Sequence, residues 1–170
     1  MGFANAQLSH PSGSTIVAHT AHFSWGSASE PVRLRQASMM DRQAERFENL
    51  SPNKPVQILT GDFNAEPNSS TLRFLKGFEG FGTHGTLWCD AWEISGSGYG
   101  ATSDPGGLPL AAVSAKKVGI EDLSELPRRR IDFILSRGWV YGKPGFPETC
   151  ELISGVGASD HHGIVSTIRL

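Results

Sequence analysis

Cysteine is almost missing from this chain. Two residues in 170, Cys89 and Cys150, can neither staple a disulfide-rich scaffold nor complete a cysteine zinc site. Each reads instead as a small buried hydrophobe. Long apolar runs are missing too, and none approaches the ~20 residues of a membrane-spanning helix. The start, "MGFANAQLSHP", has neither the charged and apolar regions of a signal peptide nor the Ser or Thr that myristoylation favours. These absences read as a soluble protein, cytoplasmic or otherwise intracellular. An excess of one charge is also lacking. Fifteen Lys and Arg against 17 Asp and Glu leave a formal net charge of −2, so no global field draws the molecule onto nucleic acid or anionic lipid. The one concentrated basic run, Arg128-Arg129-Arg130, fits a solvated strand entrance or a phosphate-steering patch equally well. Repeats and low-complexity tracts are absent. What remains is ordinary globular composition, 38% hydrophobic and 19% charged, in a length that suits a single domain over residues 1–170.

The hydrophobic pattern supplies the elements. "STIVAHTAHF" is β-branched and apolar, and "GFANAQL" pairs with it across the turn "SHPSGS". Pro31 to Leu50 reads as a helix with Val32, Gln36, Met40, Ala44 and Phe47 on one face. That phase leaves Arg33, Arg42, Glu45 and Glu48 for solvent and Glu30 in the preceding turn. "NKPVQILTGDF" is a strand of buried type. "TLRFLKGF" is a short helix capped from Asn68, Ser69 or Ser70. "TLWCDAWEI" is a strand or extended segment. Residues 95–127, rich in Gly, Ser and Pro, form a long functional loop with a short helix near Glu121 to Leu126. "RRRIDFILSRGWV", "TCELIS" and "GIVSTIRL" close the chain as strands. Strands with two intervening helices, then mostly strands, predict a mixed sheet with helices packed outside.

Polar residues at strand ends carry the chemistry. In "ILTGDFN", Asp62 and Asn64 fall on the same face, because side chains along a strand alternate with period two. A carboxylate can orient or deprotonate an attacking water, and an amide can donate to a phosphate oxygen. The plainer reading is a turn in which both bond their own backbone. Asp132 lies among Ile131, Phe133, Ile134 and Leu135, where an unpaired carboxylate is costly. A histidine or one of the preceding arginines must hold it. "GASDHHGIV" offers His161, and Asp160 beside it has the oxygen ligands a hard cation takes. His19 and His22 are three apart in their strand and face opposite ways, so at most one reaches a shared site, and His22 lies at the strand end. An unrelated β-domain with coincidental motifs requires Asp132 and His161 to lie far apart.

The series "HTAHF", "RLRQA", "LTGDFNAEP", "RIDFIL" and "SDHHGIV" resembles, in that order, the carboxy-terminal half of the endonuclease/exonuclease/phosphatase superfamily. The resemblance spans essentially the whole chain. It implies an α+β fold, part of a four-layer αββα sandwich with mixed β-sheets and lacking the amino-terminal half. It also implies Mg²⁺-dependent phosphoesterase activity, with Mn²⁺ as the alternative ion. Substrates in the superfamily include nucleic acid, phospholipid and phosphorylated small molecules. By position, Asp62 resembles the residue activating water, Asn64 its partner on water and phosphate, and Asp132 the carboxylate orienting His161. His161 is similar to the histidine that donates to the scissile phosphate. Asp160 resembles a carboxylate at or near the metal, and His22 a histidine near the leaving group. Arg33 and Gln36 match a structural helix pattern. Departures are Ala21 in "HTAH", His162 after "SDH", and no counterpart of the family's main metal-binding glutamate. The expectation is therefore a partial form that associates through its exposed sheet. The alternative is a non-catalytic phosphate-binding module that retains the fold.

Overall fold

The computed structural model describes residues 2–51, 54–138, 142–153 and 157–170. Asn53, Trp139, Val140 and Ser154, at the ends of expected strands, lie outside the described residues. Strand β1 (Phe3–Ser9) folds back on β2 (Thr15–Ala21) as an antiparallel hairpin, in register from Phe3 opposite Ala21 to Ser9 opposite Thr15. Helix α1 (Glu30–Leu50) then carries the chain across to β3 (Val56–Asp62), which lies parallel to β2. A parallel neighbour needs such a crossover, because a tight turn cannot return the chain to the same end of the sheet. Strand β5 (Asp132–Ser136) runs antiparallel beside β3, and the short β4 (Cys89–Asp90) completes the order β1-β2-β3-β5-β4. Strands β6 (Pro147–Ile153) and β7 (Gly163–Ile168) form a separate antiparallel ribbon.

The strand alternation sorts residues into two layers. Leu59, Phe133 and Leu135 point to one face and pack against Ala37, Met40 and Ala44 of α1 and Leu72, Phe74 and Leu75 around α2 (Ser70–Leu75). On the other face Ile134 meets Ala91, Trp92, Cys150, Leu152 and Ile164, so α3 (Ala91–Ser95) and the ribbon cover that part of the sheet. A mixed sheet with α1 and α2 on one side and the ribbon with α3 on the other is the α+β sandwich architecture. All seven residues of β1 are exposed, including Phe3 and Leu8.

Several local expectations shift. The buried face of α1 keeps the expected Met40 and Ala44 but adds Arg33, Ala37, Ser38 and Asp41, while Val32 is exposed. Arg33 is buried because its guanidinium pairs with Glu30 and donates to the carbonyls of Ser24 and Gly26. Glu45 and Glu48 are only half-exposed. Glu30 opens the helix rather than lying in a turn, and its carboxylate also accepts from the backbone and hydroxyl of Thr71. "TLWCDAWEI" is extended only at Cys89–Asp90, because the Asp90 carboxylate caps α3 by accepting from Trp92 N–H at 3.0 Å. The long loop holds a nine-residue helix, α4 (Pro109–Lys117), that its composition concealed, and a single 3₁₀ turn at Leu123–Glu125.

Candidate active site

Three core phenylalanines underlie the site. Phe23 stacks on Phe63 with centroids 4.7 Å apart, and Phe63 on Phe133 at 5.4 Å. Each follows a polar residue in sequence, so extended backbone that buries the ring turns His22, Asp62 and Asp132 the other way. Backbone bonds lock the arrangement: Phe23 N–H donates to the Asp62 carbonyl and Phe63 N–H to that of Ile131.

Asp62 and Asp132 are direct partners across the antiparallel β3–β5 pair, so their carboxylates share a face at one end of the sheet. His161 arrives from the turn before β7, and its Nδ1 lies 2.8 Å from Asp132 Oδ2. The spatial separation required by coincidental motifs is not found. The carboxylates of Asp62 and Asp132 and a ring nitrogen of His161 all lie within 4.8 Å of one another. Burial raises the Asp62 pKa, and the negative charge of Asp132 adds to that. The hydrogen bond to Asp132 raises the His161 pKa against the opposing effect of burial.

Asn64 departs from the alternation. The strand stops at Asp62, and Asn64 takes a left-handed backbone with φ 49°. Its N–H donates to Asp62 Oδ1 at 2.8 Å and its side-chain amide to the Phe23 carbonyl at 3.1 Å. Its resting role is thus the turn that fixes the Asp62 carboxylate. His22 is exposed with Nε2 3.5 Å from Asp62 Oδ2, while His19 is buried against Gln57. Asp160 is exposed and accepts from the Ser114 hydroxyl at 3.3 Å, outside the Asp62–Asp132–His161 trio.

Thr102, fully buried in the long loop, has no forerunner in the sequence reading. Its hydroxyl accepts from the N–H groups of Ile131 and Asp132, and its carbonyl accepts from His162 N–H at 2.7 Å. One residue therefore ties the start of β5 to the His161 segment. An isolated threonine in a Gly- and Ser-rich loop carries no sequence signal for that role. His162 lines a cleft with Asp132, and its Nδ1 is buried without a hydrogen-bond partner among the described residues.

Gly61 sets the approach of β2 to this end of the sheet. Its φ is 139°, and a Cβ there would lie 1.9 Å from the Ala21 carbonyl oxygen. Gly61→Ala is expected to cost about 2–3 kcal/mol, from overpacking against rigid backbone and from strain. The urea midpoint measures it, and an unchanged midpoint would mean that the strands separate freely.

The profile of the Endonuclease/Exonuclease/phosphatase family matches residues 5–161. The chain belongs to this family. Solved structures agree in fold at low identity. An endonuclease/exonuclease/phosphatase from Bacteroides vulgatus is 18% identical with a TM-score of 0.66, over 99% of this chain and 55% of that one. D. rerio TDP2 complexed with single strand DNA product is 19% identical with a TM-score of 0.69, over 99% and 61%. Beta toxin from Staphylococcus aureus is 14% identical with a TM-score of 0.66, over 98% and 56%. This family member thus spans between half and two thirds of the length of these relatives. No curated protein matches its sequence. No helix among the described residues is long and apolar enough to cross a membrane.

Proposed function

We propose that residues 1–170 are a domain of a divalent-cation-dependent phosphoesterase, in which Asp62, Asp132 and His161 act on the phosphate. The observation that carries this reading is the Asp132–His161 hydrogen bond, set directly across a strand pair from Asp62. The donor set fits a hard cation. Mg²⁺ binds through one or two carboxylates with water filling its remaining positions, and two facing carboxylates repel each other without a counter-charge. Asp62 and Asp132 would hold the ion, and Asp160, next in sequence to His161, is the further carboxylate proposed for it. When bound, it supplies positive charge against the developing phosphorane. Mg²⁺ is the ion expected, with Mn²⁺ able to replace it.

The side chains divide the remaining work. Asp62, fixed by the Asn64 N–H, accepts a proton from or orients the attacking water. His161, held by Asp132 on Nδ1, presents its other ring nitrogen as a donor to a phosphate oxygen. His22 stands beside Asp62 on the exposed side, where a leaving group would depart. Substrates are phosphate esters, and one structural relative was solved with a single-strand DNA product.

The test is hydrolysis of phosphodiester and phosphomonoester substrates with Mg²⁺, with Mn²⁺ and with a chelator. Turnover is expected with either ion and loss to background with the chelator. Phosphate-ester binding without turnover in any of the three conditions would favour the non-catalytic module instead.

A further inference from the structure

Two aromatic rings stand in solvent on backbones that are pinned to the segments leading to and from the trio. Trp25 is 73% exposed. The buried Arg33 holds both its neighbours, donating from Nη1 to the Ser24 carbonyl at 2.9 Å and to the Gly26 carbonyl at 2.7 Å. Ser24 N–H donates to Gln36 Oε1, and the Ser29 hydroxyl donates to the carbonyl of Trp25 itself. Two residues upstream, Phe23 bonds Asp62 through its N–H and Asn64 through its carbonyl. Two residues of chain span at most about 7 Å, so Trp25 is tied to the site.

Tyr99, 55% exposed, repeats the arrangement on the other flank. Its loop folds onto Trp92, whose Nε1 donates to the Gly98 carbonyl at 3.1 Å. A Cβ at Gly96 or Gly100 would lie 2.5 or 2.3 Å from the Trp92 ring, so only glycine permits that approach. The Tyr99 hydroxyl donates to Glu66 Oε2 at 3.2 Å, and Glu66 lies two residues after Asn64. In sheet order, Trp25 follows β2 and Tyr99 follows β4 and α3. The β3–β5 pair that carries Asp62 and Asp132 lies between them.

Resting on the phosphoesterase reading, we propose that Trp25 and Tyr99 form a two-point stacking clamp for the bases of single-stranded nucleic acid. The phosphate between those bases enters the Asp62–Asp132–His161 trio. Rings on pinned loops are oriented before the ligand arrives, which lowers the ordering cost of binding. Every base offers a π-face, so such a clamp grips the strand without reading its sequence. A lipid surface fits less well. The neighbours of Trp25 are Ser24, Gly26 and Ser27 and those of Tyr99 are glycines, where a membrane anchor groups apolar and basic side chains.

The experiment compares binding of a fluorescent 12-nucleotide single strand to the full chain and to Trp25→Ala, Tyr99→Ala and Trp25→Phe. All four proteins carry His161→Ala to prevent turnover. An abasic strand of equal length and vesicles of phosphatidylcholine with phosphatidylserine are the control ligands. Each alanine variant is expected to weaken binding about 10-fold, and Trp25→Phe to retain most of it. The abasic strand loses both stacking contacts and should bind the parent more weakly than the DNA binds either alanine variant. Equal DNA affinity in parent and alanine variants overturns the clamp, as does a parent that binds both strands alike. Vesicle binding lost with Trp25 while DNA binding is kept also overturns it. The hydrolase reading fails separately, if turnover in the otherwise unaltered chain proves indifferent to His161. Base-selective binding through both rings would support the clamp even then.

Discussion

His161→Ala is expected to lower phosphoester turnover by about 10²–10⁴-fold, the usual worth of a positioned acid or base. The side chain is partly exposed, and among the described residues its one hydrogen-bond partner is Asp132. The loss should therefore appear in rate rather than in folding, and circular dichroism should report an unchanged fold. The pH profile adds a sharper check. The hydrogen bond to Asp132 raises the His161 pKa, so the donating imidazolium persists further into the neutral range. Turnover that needs that proton falls as pH rises through the raised value. Asp132→Asn removes the cause, and the alkaline limb should move to lower pH. The same pair links to stability with a definite sign. A histidine pKa raised on folding contributes stability that is fully present below its unfolded value of about 6.5 and is lost as pH rises through the folded value. An alkaline limb that stays put in Asp132→Asn would sink the assignment of His161 as donor.

Asp41→Ala is expected to destabilise the fold by about 3–5 kcal/mol, the scale for removing one partner from a buried ion pair. Asp41 is completely buried, and its carboxylate accepts from Trp88 Nε1 at 2.7 Å and the Thr86 hydroxyl at 2.6 Å. Arg137 Nη2 bonds the same oxygen, and His84 Nε2 lies 2.8 Å from the other. Alanine removes one of the two carboxylates that hold the Arg137 guanidinium over the Trp88 ring, leaving only the half-exposed Glu48 against it. It also strips the Trp88, Thr86 and His84 partners of their shared acceptor. Urea unfolding measures the change, and Asp41→Asn, which keeps an acceptor oxygen, should fall between wild type and alanine. A midpoint unaltered in Asp41→Ala would show that water reaches the cluster and screens it. Asp41, Glu45 and His84 also bring ligand atoms within 4.8 Å of one another. Arg137 already supplies the positive charge there, so this group is structural.

The strands around the site were legible because two-residue alternation and turn residues mark them directly. "RIDFIL" announced a carboxylate in an apolar run, and "SDHHG" a histidine able to meet it. Asn64 misled because alternation holds only while the backbone stays extended, and its left-handed turn ends the strand. In α1 the expected face found Met40 and Ala44 but missed Asp41. The correct stripe runs Arg33, Ala37, Met40, Asp41, Ala44, and a charged residue at either polar position of it signals a buried pair. Helix α4 was invisible because glycine and proline on both sides outweighed nine residues of modest helix formers. Thr102 acts through two backbone groups and a carbonyl, and no residue-type pattern encodes that.

The Asp41 network also bears on how quickly the molecule comes apart. Its partners lie from 43 residues away, at His84, to 96 away, at Arg137. Contacts that close such long loops carry a large entropic cost and assemble only after most of the sheet is in place. Interactions absent from the folding transition state act mainly on the escape rate. The cluster at the end of the sheet remote from Asp62 is thus a kinetic latch: it contributes little to the speed of assembly and holds the finished structure closed.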